Sequence, residues 1–137
     1  MKKKVFVVLT FLAVSLLFLT ACGIKKEDLQ GKWKAQDAQG NDVTIDFKKD
    51  KIKLDGDSIS YKVNGKGNEN GNRYITFTSG GEYFTAFFPE KDNKTALLLK
   101  TDGEDDLKGE VYFAMSKSEQ PDYDKYVKKY MNDVHYK

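Results

Sequence analysis

The sequence predicts a mostly β domain, an eight-stranded antiparallel up-and-down barrel with a C-terminal amphipathic α-helix packed on it. Three observations predict it. From Trp33 to Met115, apolar side chains recur with a period of two, the repeat of a strand whose alternate residues face opposite sides. Gly, Asn and Asp cluster between most of these runs, as they do in tight hairpins. After Ser118 the period lengthens to that of a helix.

Glu27-Asp28-Leu29-Gln30 reads as one helical turn. The first strand is Lys32-Trp33-Lys34-Ala35-Gln36, and Gln39-Gly40-Asn41-Asp42 turns the chain. Val43, Ile45 and Phe47 share one face of the second strand. Lys48 to Asp50 connects it tightly to a third carrying Ile52 and Leu54. Asp55-Gly56 is a hairpin signal. Ile59, Tyr61 and Val63 then share a face opposite Ser58, Ser60 and Lys62. Asn64 to Asn72, the longest polar gap, holds Asn64-Gly65 and Asn70-Gly71 and reads as a mobile loop.

A fifth strand covers Arg73 to Thr78, and Ser79-Gly80-Gly81 is its turn. Glu82 to Phe88 is apolar on both faces and ends at Pro89. Thr95 to Leu99 is also apolar on both faces. An acidic loop from Thr101 to Gly109 leads to the eighth strand, Glu110 to Met115. Ser118 to Pro121 carries helix-start signals. Tyr123, Tyr126, Val127, Tyr130, Met131 and Val134 then fall on one helical face, so a helix is expected over 121–134. Strands 82–88 and 95–99 need cover on their outer sides. The Tyr-rich helix face supplies it, so the helix is expected to contact those strands.

The N-terminus has a different character. Met1-Lys2-Lys3-Lys4 is basic, Val5 to Leu19 is largely apolar, and the stretch closes on Leu19-Thr20-Ala21-Cys22. A basic start, an apolar middle and a small residue before the cut describe a secretory signal. A membrane-spanning helix needs about 20 apolar residues; this run is shorter and is broken by Thr10 and Ser15. Cys22 is the only cysteine, so no disulfide forms within the chain. The tetrapeptide resembles the lipobox of bacterial lipoproteins of the Gram-positive type. The resemblance implies a diacylglyceryl group on the Cys22 thiol, fatty acyl chains of the palmitate kind, and cleavage before Cys22. It implies an extracytoplasmic protein anchored to the cell membrane by lipid. The expected organisation is then a signal peptide at 1–21, a lipidated tether at 22–26 and one domain at 27–137.

Removing residues 1–21 from the 137-residue chain leaves 116, enough for one domain with a real core. Lys2, Lys3 and Lys4 leave with the signal, which takes the formal charge from +2 to −1. With Arg73 its one arginine, the mature chain has no electrostatic footprint for nucleic acid. His135 is the one histidine and lies in the C-terminal tail, so neither a Ser–His–Asp set nor a zinc site can be assembled. Asp102, Glu104, Asp105 and Asp106 lack the glycine and terminal glutamate of an EF-hand loop. No glycine-rich strand-to-helix turn offers a phosphate cradle. A non-enzyme without a cofactor is expected.

Gly31-Lys32-Trp33 opens the first strand after a helical turn, eight strands follow, and a helix comes last. Gly-x-Trp in that place resembles the start motif of lipocalin-type (calycin) barrels, in which the Trp closes one end. Lipocalins lay an Arg from a late strand over that Trp; Arg73 lies too early. Such a barrel is either filled by side chains or holds one small ligand, and short strands favour filling. Trp33, Phe47, Tyr61, Phe77, Phe84 and Phe88 are the candidate ligand-lining aromatics. Two functions stay open: a lipid-anchored binder of a small apolar ligand, and a module that recognises a surface protein or peptide. Release of the cleaved signal fragment as a signalling peptide has only the lipobox behind it.

Overall fold

The computed structural model describes residues 23–131. Cys22, Val134 and His135, and with them the signal peptide and the lipidation site, lie outside the described residues. A short helix α1 (Lys26–Leu29) leads into eight strands: β1 (Gly31–Asp37), β2 (Asp42–Phe47), β3 (Lys51–Leu54) and β4 (Asp57–Glu69), then β5 (Asn72–Ser79), β6 (Glu82–Phe88), β7 (Thr95–Thr101) and β8 (Gly109–Ser116). Helix α2 (Tyr123–Tyr130) closes the described chain. Each strand pairs antiparallel with the next, and β1 pairs with β8 from Lys34↔Ser116 to Asp37↔Phe113. The result is a closed barrel in sequence order.

Alternation sorts the side chains into two cores. Trp33, Ala35, Ile45, Phe47, Ile75 and Phe77 face inward and are buried together with Ala86, Phe88, Leu98 and Met115. The outward residues Phe87, Leu97, Leu99 and Val111 form a second cluster on the outer wall, with Leu107 and Met131. Strands β6 and β7 are therefore apolar on both faces because both faces are covered. Tyr123, Tyr126, Val127 and Tyr130 of α2 pack on the second cluster, over the strands expected to need cover.

Hydrogen bonds fix this helix in place. Asp122 caps it by accepting from the Lys125 amide. The Tyr123 amide donates to Gln36 Oε1 at 2.8 Å, and the Tyr123 hydroxyl donates to the Val111 carbonyl at 2.7 Å. At the other end Tyr130 donates to Glu90 Oε1 at 2.8 Å. The helix starts at Tyr123, two residues later than its sequence signals imply, because Asp122 is the capping residue.

Two expectations are corrected. The stretch from Asn64 to Asn72 is not a mobile loop. Strand β4 runs 13 residues to Glu69, and only Asn70-Gly71 turns, with φ of 55° and 86°. Asn64-Gly65 is a β-bulge, where the register with β5 slips between Val63 and Gly65. The polar composition hid the strand because apolar alternation stops beyond Val63. Tyr74 of the partner strand lies over Gly67, so close that a Cβ there would sit 2.4 Å from the ring. The second correction concerns the tether. Ile24 is already in the inner core, 3% exposed, so the fold begins before Glu27.

Burial, and then the Glu90 carboxylate, push the Tyr130 hydroxyl up to about 12. The folded value lies above the unfolded one, near 10. Its stabilising contribution is therefore complete below pH 10 and disappears between pH 10 and 12. Tyr130→Phe is expected to remove roughly 1 kcal/mol of the stability loss between pH 9 and pH 12, a value discounted for the side chain's contact with water. Urea unfolding of both proteins at the two pH values measures it. Equal losses in both would show that Tyr130 is not linked to folding.

Candidate functional site

The two ends of the barrel are built differently. At the α1 end the interior is solid. Trp33 is fully buried, and its indole Nε1 donates to the Leu29 carbonyl at 2.8 Å. Phe88 packs against it with ring centroids 6.1 Å apart. Leu29 and Ile24 cover this end from α1 and the residues before it, and Lys66 Nζ donates to the Ile24 carbonyl at 3.0 Å.

Lys117, just after β8, completes the closure. Its Nζ lies 4.8 Å from the centre of the Trp33 ring and donates to the carbonyls of Gln30 at 2.8 Å and Asp28 at 3.1 Å. Burial holds its pKa below the usual lysine value, with the nearby Asp28 carboxylate acting in the opposite direction. A cation late in the chain thus covers the Trp33 ring. Sequence reasoning sought an arginine and missed it; the Gly-x-Trp motif with a basic residue directly after the last strand was the available signal.

The opposite end is open. An apolar pocket of about 440 Å³ enters the barrel there. Phe47, Phe77 and Phe84 line it, together with Ile45, Leu98 and Phe113 from neighbouring strands. Ile52, Leu54 and Ile59 form the side nearest the β3–β4 turn, and Ser79 and Gly80 the side at the β5–β6 turn. Phe77 and Phe84 stack at 5.4 Å with an interplanar angle of 18°, and Tyr112 meets Phe84 edge-on at 6.2 Å. Ile59 stands at the rim and is 49% exposed.

The six candidate aromatics therefore separate by role. Phe47, Phe77 and Phe84 line the pocket. Trp33 and Phe88 belong to the solid end. Tyr61 braces the pocket wall from behind, edge-on to Phe47 at 5.7 Å and to Phe77 at 5.6 Å, while its hydroxyl donates to the Lys48 carbonyl. Burial raises the Tyr61 pKa, helped by Asp50. The aliphatic half of the lining, Ile52, Leu54, Ile59 and Leu98, was missing from the candidates, although the same period-two alternation placed it on the inner face.

Other features have structural partners. A concavity on the outer face of β2 and β3 is polar, lined by Asp42, Asp46, Lys53 and Asp55. In the acidic loop, Asp102 accepts from the Glu104 amide at 2.9 Å and Asp105 from the Leu107 amide at 3.1 Å. Those carboxylates hold the loop's own turns while Leu107 inserts into the outer cluster. Among the described residues no helix is long and apolar enough to cross a membrane.

No protein-family model, no curated protein and no solved structure matches this chain.

The difference between the ends is measurable. Trp33→Phe leaves the Leu29 carbonyl unpaired and a void in a packed core, and should cost about 2–4 kcal/mol. Phe84→Leu faces open pocket space and should cost less than about 1.5 kcal/mol. Urea unfolding followed by circular dichroism compares them; a larger loss for Phe84→Leu would reverse the assignment of solid and open ends.

Proposed function

We propose that this chain is a lipid-anchored extracytoplasmic protein, without catalytic activity, that binds a small apolar ligand in the open end of its barrel. The pocket of about 440 Å³ carries the proposal. Its volume falls within the ordinary range for small-molecule sites. Apolar side chains make most of its wall, so an apolar body gains by leaving water there, at about 25 cal/mol per Å² of surface removed. The solid α1 end stops the ligand and restricts entry to one side. Recognition of a protein or peptide has less support. Ile59 and Tyr83 are the exposed large apolar side chains among the described residues, and they lie on opposite faces of the sheet, so no continuous patch results.

The anchor half of the proposal stands on Leu19-Thr20-Ala21-Cys22. Labelled palmitate should enter the protein in growing cells, and the protein should sediment with membranes. Cys22→Ala should abolish the label. Retention of label in that variant, or wild-type protein without it, would refute the anchor.

The ligand half is tested with hexanol as a neutral probe. Purified mature protein in phosphatidylcholine nanodiscs should unfold at a higher temperature with increasing hexanol and reach saturation, as expected for a ligand that binds the folded state. Trp33 fluorescence reports the unfolding. Filling the pocket with Ile52→Phe and Leu54→Phe together should weaken the effect at least roughly tenfold, the consequence of about 1.4 kcal/mol of lost binding. A wild-type protein that shows no saturable effect would end the ligand reading.

A further inference from the structure

We infer that the occupant of this pocket is a cationic amphiphile, an apolar body with an ammonium-type charge at its exposed end. The inference rests on the proposed ligand-binding role of the pocket and adds the charge of the ligand.

Strand alternation and register identify the side chains just above the apolar layer. Asp57 pairs with Leu54, and Asp37 pairs with Phe113. Glu82 pairs with Ser79, and Glu110 pairs with Lys100. Residues opposite one another on paired strands share a face of the sheet, and Leu54, Phe113 and Ser79 line the pocket. Lys100 lies two residues beyond the inward Leu98 and so keeps its face. Among these strand positions the register thus sets the carboxylates of Asp37, Asp57, Glu82 and Glu110 around the ammonium of Lys100, and Glu82 itself lines the pocket.

That ammonium is already engaged. Lys100 Nζ is 3.1 Å from Glu82 Oε1 and 5.9 Å from the centre of the Tyr112 ring. An anionic ligand would have to take Lys100 from Glu82 and then face the remaining carboxylates. A cation meets a net excess of negative charge. Asp37 stays ionised, since hydrogen bonds from Asn41 hold its carboxyl below the usual range. Low-dielectric walls around a mouth with a net negative charge concentrate its field on whatever enters.

Hexylammonium, hexanol and hexanoate share one tail and differ in head charge, so they separate the two levels of the proposal. Thermal unfolding of mature protein in phosphatidylcholine nanodiscs gives an apparent Kd for each. Hexylammonium should bind roughly tenfold more tightly than hexanoate at low ionic strength, with hexanol between them, for a net charge of this size across a solvated mouth. Added salt should compress the series. Glu82→Gln with Glu110→Gln should narrow the gap, and Lys100→Gln should widen it. Equal binding of all three overturns the cationic assignment and leaves the apolar pocket intact, as does tighter binding of hexanoate. A charge preference unchanged in both variants removes it from the mouth and also overturns the assignment. Failure of all three to bind refutes the ligand role itself.

Discussion

The structure depends on closure of the sheet. Four residue pairs, from Lys34↔Ser116 to Asp37↔Phe113, join the first strand to the last. Once eight strands close, the cross-section of the interior is set by strand number and stagger, not by the side chains. Side-chain volume then decides where space remains. At the α1 end Trp33, Phe88 and Met115 meet Leu29 and leave none. At the other end the inward positions are Ile45, Leu54, Ser79 and Leu98, with aromatic rings set deeper, and the same circumference encloses a pocket.

Closure also removes the free sheet edges that would otherwise pair with other chains. It leaves a different difficulty: β6 and β7 present apolar residues outward as well as inward. Helix α2 resolves it without being buried itself. None of its residues is fully buried, yet its Tyr side chains cover Phe87, Leu97 and Leu99 and place their hydroxyls on Val111 and Glu90. Tyrosine suits this position because one end of the ring is apolar and the other makes a hydrogen bond at the edge of the cluster.

Period-two alternation carried most of this into the sequence. It located all eight strands, most of the inward faces and the two strands with a second apolar face, whose excess Phe and Leu pointed to the helix; on β8 a register slip opposite Leu98 and Leu99 turns Val111 outward, away from the face of Phe113 and Met115 that simple alternation gives it. It failed from Asn64 to Glu69, where β4 extends past the apolar core and is held to β5 by the backbone ladder, the Gly67–Tyr74 contact and a hydrogen bond from the Thr76 hydroxyl to the Gly65 carbonyl. Polar strands leave no hydrophobic period, and Asn64-Gly65 has the same letters whether it turns or bulges. Lys117 was invisible for another reason: its partners, the Trp33 ring and the carbonyls of α1, are some 84 to 89 residues away in the chain. The pocket was legible only as inward-facing residues, because a void is a property of the closed assembly and not of any one segment.

Position in the barrel finally connects the two halves of the proposed role. Ile24 is locked into the solid end, buried and with its carbonyl held by Lys66. Cys22 precedes it by two residues, a reach of at most about 7 Å of extended chain. A lipid on Cys22 would therefore hold the α1 end against the bilayer. Strand direction puts the mouth at the far end, beside the β3–β4 and β5–β6 turns. With that geometry a lipid of the host bilayer has no direct path from the membrane into the pocket. A ligand of the proposed kind would then arrive from the aqueous side, as a molecule soluble enough to cross water and apolar enough to leave it. A charged head on an apolar body meets both conditions, and the carboxylates at the mouth would favour a positive one.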